Sequence, residues 1–154
     1  MLRDDISQAL KTAMKGKNSR ATSTLRLILA AIKDREIAAR GRGNADEGIS
    51  DDDVMKVLQT MIRQRNDSIQ MYEKGGRAEL AEQEAKEIKI ICSFLPEQMS
   101  FEDIEAAVRS VIENMEATSI KDMGRTMGHL RKAYAGRMDF GKASALLKQR
   151  LSGG

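Results

Sequence analysis

Apolar residues recur at three- and four-residue spacings along nearly the whole chain, and no segment shows a convincing period of two. That spacing places them on one stripe of a helix. The only proline is Pro96, so long helices can run uninterrupted and no proline-rich linker exists. The expected fold class is therefore all-α.

The punctuation divides the chain into seven helices. The first runs from Leu2 to about Lys15, with Leu2, Ile6, Leu10 and Met14 on one stripe, and Gly16 closes it. The second runs from about Ser19 to Arg40 and carries Ala21, Leu25, Ile28, Leu29 and Ile32. Gly41, Gly43 and Gly48 then predict a polar, cleavable loop. Ser50 caps the third, with Asp53 three residues on, and Gly75-Gly76 ends it. The fourth spans about Ala78 to Phe94 and stops before Pro96, because a residue preceding proline resists helical geometry. Ser100, Ser119 and Asp139 cap the last three, and Gly136 ends the sixth.

The break near residues 95–99 predicts two domains. Residues 1–96 form a four-helix N-terminal domain, and residues 97–154 a small three-helix domain. The second is near the lower size limit for independent folding.

Several chemistries are missing. With one Cys, Cys92, and one His, His129, there is no intrachain disulfide, no cysteine-based zinc site and no paired-His metal site. No glycine-rich phosphate loop ending in Lys-Ser/Thr is present. Asp139-Phe140-Gly141 spells a kinase tripeptide without the rest of a kinase. His129 reads as an ordinary boundary or surface histidine, and Cys92 as a buried structural thiol. Neither catalytic residues nor metal ligands nor a cofactor site are assigned. No apolar run approaches the ~20 residues a membrane helix requires. No signal-peptide core follows the N-terminus. The expectation is a soluble cytoplasmic protein with no membrane association.

The net charge is +3, and its distribution is uneven. Residues 1–45 hold ten Lys/Arg against four Asp/Glu, and residues 121–154 hold eight bases against Asp122 and Asp139. On the sixth helix, Lys121, Arg125, Gly128 and Lys132 fall on one side, roughly opposite Met123, Met127, Leu130 and Tyr134. Gly128 removes a side chain from the middle of the basic face, where a backbone can approach. Arg137 follows, just before the seventh helix, whose first N–H groups can bind phosphate; Lys142 lies on its first turn. Two readings stand side by side: a solvated face opposite a core stripe, or a phosphate-binding surface. Five scattered aromatics give no stacking platform, so any RNA would be held by shape and backbone.

Certain stretches resemble the YqeY family: Leu25 through Lys33, Tyr72 through Ala81, Leu95-Pro96, Met123 through Gly128, and Gly136-Arg137-Met138-Asp139 through Lys148. YqeY proteins are similar to a free-standing version of the C-terminal tail of GatB, a subunit of the glutamine-dependent aminoacyl-tRNA amidotransferase. The resemblance implies a helical first domain, a three-helix GatB-tail-like second domain, and tRNA as ligand. It adds Gly136 to the nucleic-acid-binding set of Lys121, Arg125, Gly128, Lys132, Arg137 and Lys142. It also implies amidotransferase or aminoacyl-tRNA synthetase machinery as partners. The carbon–nitrogen ligase label of that machinery describes association, because its catalytic parts are not in this chain. Phe140 departs from the small residue or proline usual after the cap. The rival expectation is a protein-interaction module without RNA, with helices two to four presenting an apolar or charged groove; an exposed apolar patch on the first domain, around Ile37, would favour it.

Overall fold

A computed structural model describes residues 1–41 and 49–153. The polar loop expected around Gly43 and Gly48 lies outside the described residues. Those that are described form seven α-helices and one 3-10 turn, with no strand. The chain separates into two compact units, Met1–Pro96 and Glu97–Gly154.

The first unit contains α1 (Leu2–Lys15), α2 (Ser19–Gly41), α3 (Asp51–Lys74) and α4 (Ala78–Cys92). Its core is built from Ile6, Leu25, Ile28, Ile32, Val54, Leu58 and Ile91, with Ala13 and Met61 beside them. The stripe expected on α1 is corrected at its end. Ala13 is buried while Met14 is half exposed, so Ala13 and not Met14 is the core-facing position of the last turn. Ser50 caps α3 as its spacing predicts, accepting from the Asp53 N–H at 3.2 Å. Helix α4 ends two residues before Phe94; Phe94 and Leu95 instead pack against the core from the following turn.

Three arginines of this unit, Arg3, Arg35 and Arg65, are ion-paired across helices. Glu36 of α2 is buried and ion-paired with Arg3 of α1. Arg65 of α3 lies between two carboxylates of α4, at 3.2 Å from Glu87 and 4.0 Å from Glu84. Its second hydrogen bond goes to the Met61 carbonyl. Cys92 is partly buried, and that burial pushes its thiol pKa up, which suits an unreactive thiol.

The second unit contains α5 (Phe101–Asn114), the 3-10 turn (Ile120–Asp122), α6 (Met123–Ala133) and α7 (Phe140–Ser152). Ile104, Val108, Val111, Met127, Leu130, Met138, Ala143 and Leu147 form its core. Ser100 and Asp103 close a reciprocal capping box at the start of α5. The two cores are separate clusters.

Candidate nucleic-acid interface

Position on α6 follows from its amphipathic pattern. Thr126, Met127 and Leu130 are buried, and Met123 and Tyr134 pack partly against the same core. The buried Thr126 went unrecognised in the sequence. Its hydroxyl donates to the Asp122 carbonyl at 2.8 Å, so it needs no partner in the core. The opposite side exposes Arg125, Gly128 and Lys132, as their spacing predicts.

Lys121 does not belong to the same continuous helix. It sits in the 3-10 turn that precedes α6, and it too is exposed. That turn is held by Asp122, whose carboxylate accepts from the N–H groups of Thr118 at 2.9 Å and Ser119 at 3.2 Å. The Arg125 guanidinium donates to the other carboxylate oxygen at 3.0 Å. Hydrogen bonds from Thr118, then Arg125 and Ser119, hold the Asp122 carboxyl below its ordinary pKa. Arg125 also donates to the Met115 carbonyl at 3.1 Å. It therefore ties the end of α5 to the start of α6, and its charge is partly spent inside the unit.

The turn between α6 and α7 has a similar structural logic. Gly136 has φ +76°, a left-handed conformation that favours glycine. It is buried, and its carbonyl accepts from Gln98 Nε2 at 2.6 Å. Gly136 shapes the turn and does not present itself to a ligand, which corrects its place among the contact residues. Arg137 is exposed, yet its Nε donates to the Glu97 carbonyl at 3.3 Å and its guanidinium lies 6.0 Å from the Tyr134 ring centre. The Arg137 carbonyl accepts from the Met99 N–H at 2.9 Å. Segment 97–99 thus pins the turn.

At the start of α7 the phosphate expectation meets a correction. Asp139 caps the helix, and its carboxylate accepts from the N–H groups of Gly141 at 3.0 Å and Lys142 at 3.2 Å. Those donors are occupied, and a fixed negative charge stands where an anion would go. Phe140 packs against the core, so the departure at this position leaves the cap intact.

What remains available is narrower than the sequence set. Among the described residues, Lys121, Lys132 and the Lys142 ammonium have neither ion pair nor side-chain hydrogen bond. A Cβ built at Gly128 would meet nothing within 4 Å, so the backbone there is open to approach. Arg131, next to Lys132 and likewise exposed and unpaired among the described residues, belongs with them. Its signal in the sequence was a position about 60° from Gly128 on the same helix. Both Arg131 and Lys132 lie in the last turn of α6, where the helix dipole favours cations whatever the function. His129 is also exposed.

No group of three or more metal-ligating side chains occurs among the described residues, and no described helix is long and apolar enough to cross a membrane.

Comparison with known proteins bears on this geometry. A family model described as Yqey-like protein matches residues 3–151. The chain belongs to the YqeY family. Among its relatives is altered inheritance of mitochondria protein 41 of Lachancea thermotolerans, 30% identical over 75% of this chain and 60% of the relative. The same-named proteins of Kluyveromyces lactis (34% identical; 72% of this chain, 58% of the relative) and Candida glabrata (31%; 72% and 60%) are similar. This YqeY chain spans about 60% of the length of these curated relatives. Their names describe them as mitochondrial, which overturns the cytoplasmic expectation. That expectation rested on lacking a signal-peptide core and a membrane-length apolar run, and neither feature distinguishes the cytosol from the inside of a mitochondrion.

Proposed function

We propose that this YqeY protein is a non-catalytic helical accessory protein that holds structured RNA, tRNA foremost, through phosphate contacts on its second unit. The observation that carries this is the set of exposed, uncommitted cations Lys121, Arg131, Lys132 and Lys142 on the second unit, together with the bare backbone at Gly128 on α6. Arg125 and Arg137 act mainly by shaping that surface, since both guanidiniums already hold backbone carbonyls. Binding is expected to be backbone-directed and tolerant of sequence, because no exposed aromatic platform accompanies the cations.

The working division is four helices in residues 1–96 and a three-helix tail-like domain in residues 97–154. The similarity to the amidotransferase tail supports this reading, and it suggests that the protein works beside amidotransferase or synthetase machinery.

The test is titration of deacylated tRNA with wild type, Lys121→Gln/Lys132→Gln/Lys142→Gln, and Gly128→Ala. The triple variant should bind at least about tenfold more weakly at low salt, with unchanged thermal stability. Gly128→Ala should weaken binding while stabilising the helix by about 1 kcal/mol. Equal binding by wild type and the triple variant would remove these lysines from the interface.

A further inference from the structure

Where α1 hands over to α2, the first unit has an open basin of about 550 Å³ lined by Met14, Leu27, Lys17, Arg26, Thr22 and Ser23 among others. Met14 and Leu27, from adjacent helices, are 50% and 49% exposed. Large apolar side chains converging at the rim of a concavity are the usual floor of a peptide-binding groove, and methionine adapts its shape to varied partners.

The charge around this basin is one-sided. From Ile6 through Lys33 the sequence has Lys11, Lys15, Lys17, Arg20, Arg26 and Lys33 and not one Asp or Glu. Lys17 and Arg26, which line the basin, have no ion pair or side-chain hydrogen bond among the described residues. This contrasts with Arg3, Arg35, Arg65 and Arg77 of the same unit, each paired with a carboxylate.

Lys17 also holds φ +54°, a left-handed conformation in which a glycine would sit with less strain. The N–H of Lys17 donates to the Met14 carbonyl and that of Asn18 to the Ala13 carbonyl, closing the end of α1. The turn therefore carries a cation at the position where glycine would serve the backbone better, and that cation stands at the basin.

We propose that this basin docks an acidic peptide segment of a protein partner, with an apolar side chain seated between Met14 and Leu27 and flanking carboxylates on Lys17 and Arg26. Charge complementarity selects an acidic ligand, and the apolar floor selects a peptide. A nucleic acid held by its phosphates would match the cations but leave the apolar Met14 and Leu27 without a partner. The basin lies on α1 and α2 and is distinct from the groove expected on helices two to four. The site involves no residue of the proposed RNA surface and stands or falls separately.

The experiment pans the full chain against phage-displayed random twelve-residue peptides, then titrates the selected peptides in labelled form against wild type and two variants. Selected peptides should combine Asp/Glu with a Leu, Ile, Met or Phe. Met14→Ser/Leu27→Ser should weaken them at least about tenfold. Lys17→Asn/Arg26→Gln should weaken them similarly at low salt and less at high salt, where charge is screened. All four positions are exposed, and asparagine tolerates the left-handed turn, so both variants should keep the wild-type thermal midpoint. Neutral or basic selected peptides, no selected peptides, or equal binding by wild type and both variants would overturn the proposal. So would loss of tRNA binding in these variants with no peptide captured, which would assign the basin to RNA.

Discussion

Asp122 gathers two backbone N–H groups and one guanidinium onto a single partly buried carboxyl at the start of α6. Its lowered pKa fixes the sign of a pH effect. Folding favours the ionised form, so its stabilisation is complete above the ordinary value of 3.8 and is lost as pH falls through the lower folded value. Thermal melts between pH 6 and pH 2 should therefore show wild type and Asp122→Asn converging as the acid limit is approached, with wild type the more stable near pH 6. At this scale the sequence was informative where bonds are local. Ser50, Ser100 and Asp139 were readable as caps because each bonds a residue two or three positions ahead. The roles of Arg125 and Arg137 were not, because their partners, Met115 and Glu97, lie ten and forty positions away. From charge alone both arginines looked as available as Lys132.

Three helices end in the same way. The N–H following each cap donates to the carbonyl of the helix's second-last residue and the next N–H to that of its third-last, leaving Lys17, Gly76 and Glu116 in the left-handed conformation. Only Gly76 advertised this in the sequence; Gly16 drew attention one position too early. Glu116 is doubly misplaced, being non-glycine at φ +51° and an acid at the negative end of α5. Glu116→Gly should raise stability by about 0.5–1 kcal/mol, whereas Gly76→Ala should lower it by about 1 kcal/mol, both read from denaturant midpoints. A stabilising Gly76→Ala would contradict this assignment. The α3–α4 contact carries a different signal. Glu84 is desolvated by burial and crowded by Glu87, which together raise its pKa above 4.5 against the pull of Arg65. The folded state thus favours protonated Glu84, and its contribution is full below the ordinary value and lost as pH rises through the folded one. Glu84→Gln should therefore melt higher than wild type at pH 7, and the gap should close toward pH 4. The amphipathic period revealed these helices, but not the pairing of Arg65 with two acids on the next one, because a helical wheel does not say which helix faces which.

On the scale of the whole molecule, the all-helical class was legible because almost every buried side chain obeys one period. Two separate hydrophobic clusters, one on each side of Pro96, accompany the two compact units. The candidate RNA surface was legible only in part. Lys121, Lys132, Lys142 and Gly128 are exposed as expected; Gly136 is buried, and the donors at the start of α7 are taken by Asp139. Charge patterning locates cations but cannot show which are already spent on carbonyls and carboxylates. In the proposed function the remaining ones neutralise phosphates. Its most direct test is the salt dependence of deacylated tRNA binding to the intact chain. Four engaged cations (Lys121, Arg131, Lys132 and Lys142) predict that log K falls with log salt at a slope of about −3 to −4. A slope near zero, or no binding at low salt, would contradict it and leave this face an ordinary solvated surface.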